Sequence, residues 1–234
     1  MNSEIRNELN SQYPCRVEIH AHTSPASHCA DLAPAEVVEI FYRAGYDGIA
    51  ITNHFYTQKK DKNKFIEMYT NDFRVACETG EKLGIKVYFG AELRFKKEND
   101  NDYLIFGIKP EQLGEIYDYL NKDLETFVRE YKTDDMFLIQ AHPFRDDMEL
   151  MNPELLDGIE AFNLHPHHNG RITLASRYAQ TNGKVETIGS DFHHKTHDNL
   201  CATRFKALPE NEAELVKAFK ENDFIYEIAG HLMV

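Results

Sequence analysis

Residues 16–22 read RVEIHAH, an apolar and β-branched run that ends in two histidines, His20 and His22. The same plan recurs along the chain. Residues 48–54 read GIAITNH, 86–92 KVYFGAE, 136–143 MFLIQAHP, 158–163 GIEAFN and 185–193 VETIGSDFH. Each begins with strand character and finishes on a polar or ionisable group. Strands are predicted over Arg16–His20, Gly48–Thr52, Lys86–Gly90, Tyr103–Phe106, Met136–Gln140, Gly158–Phe162, Val185–Gly189 and Phe224–Glu227.

Helical patterns lie between these runs. Pro34 to Ala44 carries Val37, Val38, Phe41 and Ala44 on one face and meets Gly45, a natural stop. Lys62 to Leu83 sets Phe65, Ile66, Tyr69, Phe73 and Ala76 on a stripe and ends at Gly84. Arg171 to Gln180 and Asn211 to Asn222 are further helices, and Pro110 to Thr133 holds two short ones. Alternation of strand and helix implies parallel strands with helical crossovers. The expected class is α/β, a closed or nearly closed barrel. An open doubly wound sheet competes with it, but no G-x-G-x-x-G follows the first strand.

The 234 residues suit a single domain, 1–234, with a core over about 15–228. Lys plus Arg is 26 against Asp plus Glu 39, a net charge of −13. That balance disfavours long nucleic acids and anionic membranes as partners. Cys15, Cys29, Cys77 and Cys201 form no C-x-x-C pair, so reduced thiols and a cytoplasmic location are expected. The polar N-terminus shows no secretory signal, and no apolar run is long enough to cross a membrane as a helix.

The twelve histidines are an unusually high count for this length. In a parallel barrel all strand C-termini open on one face. His20, His22, His54, Glu92, His142, Asp191 and His193 would then converge there. Imidazole and carboxylate together suit divalent Zn, Mn or Fe. Residues i and i+2 of a strand share a face, so His20 can share an ion with His22, and Asp191 with His193. The donor set exceeds one tetrahedral site, which makes two or three ions the natural count, with Glu92 as a bridge. Arg94, Arg145 and Arg171 follow site strands and are candidate phosphate clamps. His194 and His197 follow the Asp191 motif and either line the rim or are simply solvated. His165, His167 and His168 read as an exposed polar turn, Cys29 as a buried structural thiol, and Lys59 to Lys64 as the solvated start of a helix.

The ordered set H-x-H, T-x-H, G-x-E, H-P, E-x-x-N and G-S-D-x-H resembles the PHP domain, the polymerase and histidinol phosphatase superfamily. The resemblance runs from Val17 to about Leu200 and includes the phrasing of Leu32–His54. It implies a distorted (β/α)7 TIM-like barrel and a multinuclear metal site that hydrolyses a phosphoester. It implies His20, His22, Glu92 and Asp191 around one ion, Glu92 and His142 around a second, and His54 and His193, with His28, around a third. Two positions depart from the pattern. Asn53 stands where the family usually has aspartate, and Asp102–Tyr103 where many members have histidine, so the second ion has one ligand fewer or uses Asp102.

The expected function is metal-dependent hydrolysis of a small phosphomonoester or a nucleotide or oligonucleotide phosphoester. Glu92 and Asp191 would hold the ions that activate a hydroxide, and His194 would protonate the leaving alkoxide. An amidohydrolase-like C–N hydrolase and a non-catalytic metal-binding regulatory module are the rivals. The former often uses a bridging carboxylated lysine, and no lysine stands at these strand ends. A polymerase role is not expected from 234 residues.

Overall fold

The computed structural model describes residues 2–57, 61–197 and 201–234. Lys59 and Lys60 of the basic run, and Leu200 at the end of the family resemblance, lie outside the described residues. The strands are β1 (Cys15–Ala21), β2 (Gly48–Ile51), β3 (His54–Tyr56), β4 (Lys86–Arg94), β5 (Tyr103–Phe106), β6 (Phe137–Gln140), β7 (Gly158–Asn163), β8 (Val185–Gly189), β9 (Cys201–Phe205), β10 (Phe224–Ile228) and β11 (His231–Met233). The helices are α1 (Ser3–Gln12), α2 (Pro34–Arg43), α3 (Lys62–Leu83), α4 (Leu113–Tyr119), α5 (Leu124–Glu130), α6 (Ile172–Thr181) and α7 (Glu212–Glu221).

This is a mixed α/β fold with one curled sheet. Its order is β11-β10-β9-β1-β2-β4-β5-β6-β7-β8, with β3 paired beside β4. Past β8 the chain returns to β1. The His22 N–H donates to the Phe192 carbonyl at 2.9 Å, and the Phe192 N–H donates to the His20 carbonyl at 3.1 Å.

The all-parallel expectation fails at β5, which runs antiparallel to both β4 and β6. The cause is length. β4 continues to Arg94, four residues beyond its predicted end at Gly90, so only residues 95–102 remain before β5. A parallel crossover needs about a dozen residues or more. Reversal has a consequence for the site. The start of β5, preceded by Asp102, lies beside the C-terminal ends of its neighbours. The added strands β9, β10 and β11 also pair antiparallel, β9 against β1.

The helices form where capping and stripe agree. The Asp61 carboxylate accepts the Lys64 N–H at 3.0 Å at the start of α3, and Gly84 takes a left-handed φ of 82° at its end. Phe65, Tyr69 and Ala76 of its stripe are buried, while Ile66 and Phe73 pack at the margin. Phe55 joins Phe65, Tyr69 and Tyr117 in one aromatic cluster. Phe219 of α7 meets Phe106, Phe137 and Phe224 in another. Each fully buried phenyl ring contributes about 1.5–3 kcal/mol.

Gly189, at the end of β8, packs directly against β1 and β7. A Cβ there would stand 2.5 Å from both Glu160 Oε1 and His20 Cβ. Gly189→Ala is therefore expected to cost about 1–3 kcal/mol of stability. Urea unfolding measures this, and an unchanged midpoint would contradict the close approach of β8 to β1.

Candidate metal centre

The strand ends deliver their polar side chains to one place. Glu18, His20 and His22 alternate along β1 and its end, and all three are buried. β4 brings Glu92, which is fully buried. Glu92 Oε2 lies 2.6 Å from His54 Nδ1 and 3.4 Å from His22 Nε2. Glu92 Oε1 lies 3.1 Å from His142 Nε2 and 3.5 Å from His20 Nε2. Asp191 Oδ1 is 3.5 Å from the Nε2 atoms of both His20 and His22, and 3.3 Å from His193 Nδ1. Three donor groups fall within 4.8 Å among themselves: His20, His22 and Glu92; His22, His54 and His193; and His54, Glu92 and Asp102.

Surrounding groups fix which nitrogen carries the proton. His20 Nδ1 donates to Glu160 Oε1 at 2.7 Å. Glu160 Oε2 in turn accepts from the His142 N–H and from Asn163 Nδ2, each at 3.0 Å. The Ser27 hydroxyl donates to Asn53 Oδ1 at 2.9 Å, so it must accept from His22 Nδ1 at 3.0 Å. His193 Nδ1 donates to the Asp191 carbonyl at 2.9 Å. The Nε2 lone pairs of His20, His22 and His193 are thereby left for other partners.

These donors fit a divalent cation. The Nε2 atoms of His20 and His22 are 3.1 Å apart, so either a proton on His20 or a shared cation must lie between the two lone pairs. His142 Nδ1 is buried without a hydrogen bond among the described residues. His142 (φ 30°) and Asp191 (φ 52°) both hold the left-handed backbone that non-glycine residues avoid, a strain typical of functional sites.

Electrostatics agrees. Burial opposes charge on His20, yet Glu160, Asp191 and Glu92 hold its pKa well above the ordinary value. Burial likewise opposes charge on His54, and Glu92 outweighs it. Burial would raise Glu92, but His54 and His20 hold it well below the usual carboxylate range. Proton and metal ion compete for these nitrogens, so ion binding weakens as pH falls.

A cavity of about 380 Å³ opens above the donors, lined by Arg94, Asp102, Arg145, Asp191, His193 and His194 among others. Arg94 grips Asp102 with a two-bond fork, Nε to Oδ1 and Nη2 to Oδ2, each 2.7 Å. Arg145 Nη1 is 3.6 Å from Asp191 Oδ2. His194 Nδ1 bonds Asp31 Oδ2 at 2.6 Å.

Two candidates are not brought in. Arg171 lies outside the cavity lining and braces the loop after β6 through the Phe144 carbonyl and Asp146 Oδ1, both at 2.5 Å. His28 is exposed and does not line the cavity.

Three expectations are corrected. His197 is fully buried and does not line the cavity. Cys29 is an exposed thiol on the cavity wall. Burial would raise its pKa, but contacts with His193 and His54 lower it to about 6. His165 is buried at the cavity rather than in an exposed turn, its ring tilted against that of His168, whereas His167 and His168 are exposed. Sequence reasoning assigned no role to Glu160 or Ser27, although the E-x-x-N motif contained the former.

No family model matches the chain. A DNA polymerase III of the PolC type from Oceanobacillus iheyensis is 24% identical over 174 residues. That match covers 63% of this chain but only 11% of the polymerase. A two-domain protein from Bacteroides vulgatus, containing a predicted PHP-like metal-dependent phosphoesterase, superposes with a TM-score of 0.65 at 18% identity. It covers 93% of this chain and 66% of its own. PsfC from Pseudomonas syringae gives 0.57 at 17% identity, covering 89% of this chain and 94% of its own. The fold is PHP-like.

Within this PHP-like frame the Asn53 departure has a local cause. Asn53 Oδ1 accepts the Thr23 N–H at 2.6 Å, and its Nδ2 donates to Thr23 Oγ1 at 2.7 Å. Thr23 Oγ1 then donates to Asp72 Oδ2 at 3.1 Å. The negative charge stands one link further out, on buried Asp72 of α3. An aspartate at 53 would compete with Asp72 for the single Thr23 hydroxyl proton. Asn53→Asp is expected to cost about 1–3 kcal/mol in stability and about 10- to 100-fold in metal affinity. Asn53→Asp with Asp72→Asn should recover part of both losses. Denaturation and metal titration measure them, and additive losses in the double variant would refute the relay.

Proposed function

We propose that the chain is a metal-dependent phosphoesterase acting on a small phosphomonoester or a short nucleotide phosphoester, built on a distorted (β/α)7 barrel. One observation carries the reading: Glu92 contacts four imidazoles beneath a cavity that also holds Arg94 and Arg145. The PHP-like fold supports metal-dependent hydrolysis in general. The two arginines favour an anionic substrate over an amide. Glu92 takes the central position that a carboxylated lysine fills in C–N hydrolases.

When bound, divalent ions supply an activated water and neutralise charge on the phosphoryl oxygens. His20, His22, Glu92 and Asp191 would hold one ion, Glu92 and His142 a second, and His54 and His193 a third. Glu160 and Ser27 keep the His20 and His22 protons on Nδ1, away from the centre. Arg145 sits between Asp191 and the exposed His168, whose Nε2 its Nη2 meets at 2.5 Å, and would exchange the His168 contact for a phosphate. His194, anchored through Nδ1–H on Asp31, would act as the general acid in its imidazolium form, giving the Nε2 proton to the leaving alkoxide. A cavity of about 380 Å³ admits a small ester and excludes a duplex.

Metal analysis of the purified protein, paired with hydrolysis of an aryl phosphate, tests this. His22→Ala and Asp191→Ala should each lower kcat/KM by about 100-fold or more. Arg145→Ala should raise KM about tenfold. Chelation should abolish turnover, and Mn²⁺ or Zn²⁺ should restore it. A protein that holds no divalent ion, or whose turnover survives these substitutions, contradicts the proposal.

A further inference from the structure

Glu92 faces two different sets of donors. Toward β1 it meets the imidazoles of His20 and His22. Toward β6 its Oε1 meets His142 Nε2 at 3.1 Å, and His142 Nε2 lies 3.9 Å from Asp102 Oδ2. Asp102 is no surface acid. Its side chain is 3% exposed, and its carbonyl accepts the Ala141 N–H at 3.0 Å, tying it to the residue before His142. The reversal of β5 is what carries it to this face.

The Arg94 fork uses one acceptor direction on each Asp102 oxygen. An ionised carboxylate offers about four, so Asp102 keeps directions for another partner. Two independent observations point to a ligand here. Glu92 is fully buried and meets His142 Nε2 through Oε1 and His54 Nδ1 through Oε2, so its carboxylate stands among nitrogen donors on both sides. The oxygens of Glu92 and Asp102 also fall with His54 inside one metal-sized group. Two buried carboxylates this close repel unless a cation stands between them. Arg94 offsets one of the two charges through its fork on Asp102.

We propose that Asp102 ligates the second divalent ion together with Glu92 and His142, in place of an imidazole, and that Arg94 balances its charge. The exchange makes this half of the centre oxygen-rich. Zinc's general advantage over manganese persists in any such site, but an oxygen in place of nitrogen narrows it. The inference rests on the metal-dependent reading above.

The test uses chelator-stripped full chain. Mn²⁺ binding is counted by the electron paramagnetic resonance signal of free Mn²⁺, and Zn²⁺ binding by competition with a chromophoric chelator. Wild type should bind at least two Mn²⁺. Asp102→Ala and the gentler Asp102→Asn should each weaken one Mn²⁺ site about tenfold or more and leave the other. Arg94→Met should retain both sites. Asp102→His should restore tight Zn²⁺ binding at the weakened site while Mn²⁺ remains about tenfold weaker than in wild type. Thermal melts confirm that each variant is folded. Mn²⁺ stoichiometry and affinity unchanged in folded Asp102→Ala and Asp102→Asn would overturn the inference alone, because His22→Ala would still lose its ion. Wild type that binds neither metal would overturn the phosphoesterase reading as well.

Discussion

The Glu92 carboxylate has no contact with water, and burial alone makes an isolated charge there very costly. Four imidazoles within 3.5 Å, and the ions they can hold with it, offset that cost. They can do so only because distant strands end at one level. β1, β2 and β4 run parallel, β6 follows beyond the reversed β5, and the chain past β8 is stitched back to β1 through Phe192. The tight contact at Gly189 is part of the same closure. Sheet curvature and site geometry are therefore one constraint seen at two scales.

Around this centre the protein spends polar groups on orientation. Glu160 serves His20, the β6 end and Asn163 at once. Ser27 serves His22, His54 and Asn53. Behind them Asn53, Thr23 and Asp72 form a relay into α3. Each link leaves one proton position per group. That fixes imidazole tautomers before any ion arrives, which is how outer partners tune a metal ligand. The amphipathic α3 thus has two tasks: its apolar stripe packs on the sheet, and Asp72 on the same face anchors the relay.

Much of this was legible in the chain. β5 and β8 match their predicted bounds, as does α3, because short β-branched runs and a capped apolar stripe are local signals. Strand direction is not local. The reversal of β5 followed from β4 running on to Arg94, and that extension is set by pairing with β3 and β5. The short strands β3, β9 and β11 owe their existence to neighbours rather than to pattern. The polar helix α1 buries no residue and gave no stripe to read. At the site the histidines and acids that end strands could be found, since position on a strand end is a sequence property. Ser27, Cys29 and His165 could not, because they reach the site from loops, Ser27 behind His22 and the other two on the cavity wall. Arg171 shows the converse: it follows a site strand but is consumed by the Phe144 and Asp146 contacts.

The central claim is that divalent ions bind at Glu92 between the β1 histidines, Asp191 and His142. A crystal structure of the metal-loaded protein, with anomalous scattering collected at the absorption edge of the added ion, tests it most directly. The account predicts an anomalous peak about 2.0–2.2 Å from His20 Nε2, His22 Nε2 and a Glu92 oxygen. A second peak should lie on the His142 side of the same carboxylate. Peaks only elsewhere, or none at full loading with Glu92 still among its imidazoles, would contradict it.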